Sequence, residues 1–544
     1  MQHVELARLS DEFFDLRADV NPLSASLFGI DRGADRLPDL SADGQATFAA
    51  RLRSLEHRAI GIDAQTLDEQ DRVTRDVLLH ELSTSATSLE DGIVEMSAGG
   101  SLSPFALLLS VLPKTEKSSS REDYLARLRA VPEMLRQASE RFGHGAASGR
   151  TSTRQGVEQT IGQIDDVVRS GGAPFCTPFP SDDTVVTTAR DVVLPALMAF
   201  REELAALLPG ARDEQHSGLV HVPGGQQSYA HAVREHTTTD RTPEAIHQLG
   251  LDMCAALREE YAALGDKVFG SRVFEEIVDR LRHDPELRYR NPSEIEADAK
   301  GALARAEQAV PAWFGRAHRA ACEVHPMSEV EAPTGVLGYY QPSSSSLGRP
   351  GRHWINTYAP ETRTRYEYET LAFHESVPGH HLQFSLADEL SSLPAFRRNG
   401  YVTAFSEGWA LYTERLCDEM GLYSSDLARF GMLSFDSWRA SRLVVDTGIH
   451  AFGWTRRQGI EFMLANTALT PENIANEVDR YIAWPGQALA YMTGRLEIDR
   501  LRRVAQEQRG SRFDIKDFHD IVLGGGSLPL TVLDEVVTRW ALAG

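Results

Sequence analysis

The chain predicts a mainly α-helical fold, on three observations. Most segments carry apolar residues at three- and four-residue spacings with charges between them, the mark of amphipathic helices. Helix-start signals are present, best of all at Thr242-Pro243-Glu244: a capping threonine, a proline at the first helical position and an acid in the first turn. The helical pattern is lost over Glu323–Tyr358, where aromatic and β-branched residues appear instead.

Taken in order, Leu6–Ala18, Phe48–Ala59 and Glu69–Leu89 are amphipathic. Ser97–Pro113 is apolar and punctuated by Gly and Pro, which suits a buried packing or cleft-wall segment. Arg121–Phe142 is helical in pattern, with a break or kink expected at Pro132. Gly143–Gly149 reads as a linker. Arg150–Arg169 and Thr187–Leu208 resume the helical pattern. Pro209–Gly225, broken by Gly, Pro and polar residues, is the expected hinge, so an N-terminal part, 1–225, is separated from the remainder, 226–544. The helix opening at Thr242 is expected to reach about Leu264, and Asn291-Pro292-Ser293 begins another. Within Glu323–Tyr358, Ser343–Arg352 reads as a lid or an idle surface loop, and His353–Tyr358 as a short strand. Gly524–Gly526 is a loop, without the strand and helix that phosphate binding would need.

Composition narrows the class. Of 544 residues, 42% are hydrophobic and 25% charged, as in ordinary globular proteins. No apolar run is long enough to span a membrane, and the N-terminus lacks the basic and apolar regions of a secretory signal. Cys176, Cys254, Cys322 and Cys417 are widely spaced, which fits buried thiols in a reducing compartment; cytoplasm is the expectation. A net charge of −22 repels nucleic acid and anionic membranes, so neither is an expected partner.

The chemistry concentrates in Leu371–Phe384, LAFHESVPGHHLQF. His374-Glu375 opens it as the zinc-protease motif HExxH opens, where histidines at i and i+4 share one helical face and the glutamate is general base. Here i+4 is Pro378, and the next histidines are His380 and His381. In a straight helix, i to i+6 rises about 9 Å and i to i+7 about 10.5 Å, too far for imidazoles to share one ion at bond lengths near ~2.1 Å. Pro378-Gly379 supplies the needed distortion, since proline removes a helical N–H and glycine tolerates unusual dihedrals. The stretch therefore reads as an expanded HExxH with two residues inserted. Further on, Glu407 sits in the apolar stretch AFSEGWALYTE and is the candidate third ligand, with Glu414 as its competitor or as a partner behind the ligands. Asp446 and His450 stand at i and i+4 in RLVVDTGIH, a carboxylate placed to orient an imidazole.

HESVPGHHLQ, SEGWALYTE, RLVVDTGIH and PGQALAY together resemble the bacterial domain-of-unknown-function family 885 (DUF885). That family is distantly similar to gluzincin metallopeptidases of the thimet oligopeptidase–neurolysin type. The resemblance implies two helical lobes around a deep cleft, with a small β-sheet beside the active-site helix and 226–544 as the catalytic lobe. Aligning the family's Gly-His with Gly379-His380 makes His380 the second ligand, leaving His381 beside it. It also implies that His353–Tyr358 is a cleft-lining edge strand that pairs with extended substrate. Asn356 and Tyr358 then become substrate contacts, as does His381. Related enzymes place a C-terminal tyrosine over the metal, a role for which Tyr491 is the first candidate and Tyr481 the second.

The expected function is zinc-dependent hydrolysis of amide bonds in short peptides. His374, His380 and Glu407 would hold Zn²⁺, Glu375 would be general base, and Tyr491 or His450 would stabilise the oxyanion. Two alternatives share the scaffold: an amidase or esterase acting on a small metabolite, and a non-catalytic binding protein. Retention of His374-Glu375 together with Glu407 argues against decay to the second. A His₂Glu set also accepts other divalent ions.

Overall fold

The computed structural model describes all residues except 1, 28, 101, 118–119, 330, 334–335, 344–347 and 544, so the centre of the expected lid loop lies outside the described residues. The chain is mainly helical and, among the described residues, carries one three-stranded sheet, as its sequence predicts. It divides into two compact units. The first comprises Met1–Glu235, Gly448–Gly459 and Ala475–Pro485; the second comprises His236–Thr447, Ile460–Ile474 and Gly486–Gly544. Its main segment thus runs past 225, and two short returns join it from late in the chain.

In the first unit the long helices are α1 (Gln2–Val20), α2 (Ala42–Ile60), α3 (Glu69–Glu90), α4 (Arg121–Ala147), α5 (Arg154–Arg169) and α6 (Leu194–Leu207). Short polar side chains start several of them. Ser41 accepts from the Gly44 N–H, Asp68 from that of Asp71, and Ser120 forms a reciprocal capping box with Asp123. Phe105, Leu128, Val131, Leu135, Phe142, Ile164 and Phe200 share the core of this unit.

Two expectations fail here for physical reasons. Residues 143–147 continue α4, and a Cβ on Gly145 would lie 2.7 Å from the carbonyl oxygens of Arg150 and Glu95. Glycine is present there for close packing and not for a linker. The expected hinge is pinned: the Arg212 guanidinium donates to the carbonyls of Thr151 (2.8 Å), His216 (3.0 Å), Ser217 (2.7 Å) and Gly218 (2.8 Å).

In the second unit, α7 (Pro243–Phe269) begins as predicted, with Thr242 accepting from the Ala245 N–H. It runs past Leu264 and stops at Gly270, whose φ of 68° suits glycine. Asn291 caps α8 (Pro292–Trp313). The sheet follows: β1 (Cys322–Pro326), β2 (Gly338–Gln341) and β3 (Gly351–Ile355), in the order β1-β3-β2. β3 is parallel to β1 and antiparallel to β2, and His353 is opposite Val324 on one side and Tyr340 on the other. The expected edge strand is therefore the central one. Both of its sides are already paired, so it cannot take a substrate by strand addition.

Beyond the sheet come α9 (Tyr368–Glu375), α10 (His380–Glu389), α11 (Thr403–Glu419), α12 (Asp426–His450, of which Gly448–His450 belong to the first unit) and α13 (Ala490–Arg509). α11 and α13 meet backbone to backbone. A Cβ on Gly408 would stand 2.5 Å from Gly494 backbone carbons, and one on Gly494 would stand 1.8 Å from the Ala404 oxygen. These glycines let the helix that carries Glu407 press against its neighbour.

Candidate metal centre

The expanded motif is two helices and a turn, where the sequence suggested one kinked helix. α9 ends on Glu375, and Ser376–Gly379 turns the chain before α10 starts at His380. Pro378 cannot donate a helical hydrogen bond, and Gly379 sits where a Cβ would lie 2.0 Å from the His374 oxygen. The Trp409 Nε1–H donates to the Pro378 carbonyl at 3.0 Å, so α11 grips the turn directly. The chain reversal brings the His374 and His380 rings to a centroid separation of 4.9 Å at 85°.

One turn into α11, Glu407 completes the cluster. Its Oε2 lies 3.5 Å from His374 Nε2 and 3.6 Å from His380 Nε2. The three ligand atoms all fall within 4.8 Å of one another, and all three residues are buried. Tetrahedral coordination at about 2.1 Å requires donors roughly 3.4 Å apart, so the spacing and the His₂Glu chemistry both fit a divalent ion. Outer contacts fit too: Glu414 Oε1 stands 2.7 Å from His374 Nδ1, and the Tyr401 hydroxyl donates to Glu407 Oε1 at 2.8 Å. Glu414 is fully buried, and its Oε2 has no partner.

Burial works against charge on His374, yet the carboxylates of Glu407 and Glu414 on its two ring nitrogens raise its pKa to about 9. Burial would raise Glu407, but His374 and His380 hold it well below the usual carboxylate range. Burial raises Glu414 and Glu375. Glu375, at the end of α9, keeps partial exposure while His374, His380 and Glu407 are buried.

The remaining expected site residues divide. Tyr491 packs against the arginines of α12: its ring lies 4.4 Å from the Arg442 guanidinium carbon and 5.9 Å from that of Arg439. His381 turns away. It accepts the Tyr340 hydroxyl at Nδ1 (2.9 Å) and donates from Nε2 to the Ala320 carbonyl (2.9 Å), so His380 is the histidine that meets His374. Asn356 is fully buried and spends its amide on the Ala332 and Val336 carbonyls and the Tyr358 N–H; it clamps a loop and offers nothing to a substrate. Tyr358 is 52% exposed.

His450 and Tyr481 belong to the first unit and are engaged there. The His450 Nδ1 accepts the Leu219 N–H at 3.2 Å and its Nε2 donates to the Tyr481 carbonyl at 3.0 Å, while Asp446 accepts the Gly486 N–H. The expected Asp446–His450 orienting pair does not form, and burial lowers the His450 pKa to about 4. No ring nitrogen of His450 is left for an oxyanion. The Tyr481 hydroxyl donates to Glu477 at 2.7 Å.

Sequence reasoning missed Tyr401, His353 and Arg439. Tyr401 lies just before α11, outside any motif. His353 is fully buried on β3 with no partner at either ring nitrogen, and burial, with His374 adding to it, lowers its pKa to about 3. Arg439 could have been noticed as a charge inside the apolar helix FDSWRASRLVVD.

Residues 22–537 match the model of a family described as bacterial protein of unknown function (DUF885). No curated protein matches the chain. Among solved structures, the fold is similar to a candidate lipoprotein from Colwellia psychrerythraea, with a TM-score of 0.91, 25% identity and coverage of 99% of both chains. It is also similar to a candidate lipoprotein of unknown function from Shewanella oneidensis, with a TM-score of 0.74, 17% identity and coverage of 97% of this chain and 99% of that one.

Proposed function

The chain belongs to the bacterial DUF885 family, whose function is unknown, and from that premise we propose that it is a zinc-dependent hydrolase of amide bonds in short peptides. One observation carries the reading: two imidazoles and a carboxylate converge at 3.5 and 3.6 Å spacings beside a partly exposed Glu375. His374, His380 and Glu407 would hold the ion. When bound, it would supply Lewis acidity, polarising a carbonyl and lowering the pKa of water toward ~7.

The chain's own residues would do the rest. Glu375 takes a proton from the attacking water on its carboxylate and returns it to the leaving nitrogen as the C–N bond breaks, giving a carboxylic acid and an amine. Glu414 holds the His374 ring by its Nδ1 atom, and Tyr401 fixes the Glu407 carboxylate. Tyr491 is the candidate donor to the oxyanion; loss of such a donor costs about 10²–10³ in rate. The gluzincin-like arrangement, with a deep cleft limiting substrates to short peptides, belongs to the same proposal. So does the cytoplasmic setting, which the four free cysteines support and cell fractionation tests.

Elemental analysis of the purified protein should find one zinc per chain. Glu375→Gln should keep it and lose turnover on a fluorogenic peptide panel, while His374→Ala and Glu407→Ala should lose the metal. A metal-free wild type, or an active Glu375→Gln, would overturn the proposal.

A further inference from the structure

The most demanding side chain near the centre is one that the mechanism does not use. Arg439, on α12, is 5% exposed, and its Nε and Nη1 atoms are buried with no hydrogen-bond partner. Two partly buried arginines of this unit spend their donors on carboxylates. Arg415 donates to Asp436 and Glu260, and Arg495 to Asp436 and Asp499. Arg439 is held differently. Its guanidinium carbon lies 4.4 Å from the Phe435 ring centroid and 4.3 Å from that of Trp438. Trp438 also stacks on Arg442 at 4.4 Å, and Arg442 in turn stacks on Tyr491 at 4.4 Å. Aromatic contacts thus position the guanidinium by its faces, while Nε and Nη1, one on each of its two edges, stay unmatched.

The guanidinium is coupled by charge to the carboxylates of the hydrolytic centre. The charges of Glu375, Glu407 and Glu414 all act on Arg439 or feel it. None of them takes up Nε or Nη1. A buried N–H without an acceptor is costly, and a preorganised guanidinium fork matches a carboxylate with two parallel hydrogen bonds. On a chain of net charge −22, an anionic substrate would need such a local cationic seat.

We propose that Arg439, flanked by the Trp438–Arg442–Tyr491 stack, is a carboxylate-binding subsite, and that the substrates are short peptides presenting a carboxylate beside the scissile bond. This rests on the hydrolase reading above. The peptide's free C-terminus is one source of that carboxylate, and an acidic side chain is the other.

The test uses the zinc-loaded full chain and an Ala-Phe analogue whose amide is reduced to –CH₂–NH–, so that nothing is cleaved. Calorimetry compares its free-acid form, its C-terminal carboxamide, and the corresponding Ala-Glu carboxamide. The free acid should bind at least tenfold tighter than its carboxamide. Arg439→Gln, checked for unchanged zinc content, should cut that preference to under twofold, and Arg439→Lys, which keeps charge but loses the fork, should reduce it at least fivefold. If the Ala-Glu carboxamide matches the free acid, the acidic side chain is the source. Equal binding of acid and carboxamide by the wild type overturns the subsite, as does equal weakening of both by Arg439→Gln. A wild type that keeps the preference but never cleaves Ala-Phe refutes the hydrolase reading and leaves the subsite standing.

Discussion

Glu414→Gln isolates the support behind the proposed metal ligands. Glu414 is fully buried, its Oε1 is 2.7 Å from His374 Nδ1, and its Oε2 has no other donor to share its charge. Glutamine keeps the shape and an oxygen able to accept from Nδ1–H, but removes the negative charge that, on the proposed reading, makes the His374 ring a stronger ligand. Loss of such a partner typically weakens metal affinity about 10- to 100-fold, which is about 1.4–2.7 kcal/mol. Zinc affinity would be read by competition with a chromophoric chelator at fixed pH. Glu419→Gln serves as the control, since Glu419 lies on the same helix, pairs with Arg502 and is 47% exposed. The control should shift affinity less than twofold. A Glu414→Gln protein that binds zinc as tightly as the control would refute the idea that this carboxylate orients and charges His374.

Three further outcomes are expected. Glu375→Gln should lower kcat by about 10²–10⁴ with zinc content unchanged, because only the proton carrier is removed. Gly408→Ala should destabilise the protein by roughly 1–3 kcal/mol in urea unfolding and weaken zinc binding, since its Cβ would meet Gly494 backbone at 2.5 Å and displace the helix segment that carries Glu407. Burial, with Glu81 and Asp91 adding to it, raises Glu235 from an ordinary 4.5 to about 7. The folded state therefore holds a proton that the unfolded state releases between those values, so stability falls as pH rises through that window, by up to roughly 3 kcal/mol. Glu235→Gln should flatten that slope in denaturant titrations at pH 5 and pH 8, and an unchanged slope would remove Glu235 as its source.

The helical class and the helix starts at Thr242 and Asn291 were legible because caps and spacing are local signals. The trio of His374, His380 and Glu407 was legible because rare residue types cluster inside apolar sequence. What escaped was decided by distant partners. His450 looked free for chemistry until the Leu219 N–H and the Tyr481 carbonyl, remote in sequence, took both ring nitrogens. Asn356 looked like a substrate contact until the Ala332 and Val336 carbonyls claimed its amide. His353–Tyr358 looked like an edge strand because nothing local announces that Cys322–Pro326 and Gly338–Gln341 flank it on both sides.

The same logic explains how an i+6 pair can serve where i+4 is the rule. Within one helix, four residues return a side chain to the same face, and six carry it about 9 Å along the axis. Ending α9 at Glu375 and restarting at His380 cancels that rise, and the 4.9 Å separation of the rings shows that the cancellation is complete. The turn does not hold itself in place. Trp409 clamps the Pro378 carbonyl from two residues beyond Glu407, so α11 supplies both the carboxylate of the cluster and the brace for the turn that positions His380. Trp409→Phe removes the brace while keeping most of the buried ring. It should loosen zinc binding through His380 although no ligand has been touched, whereas a turn rigid on its own would leave the affinity where it was.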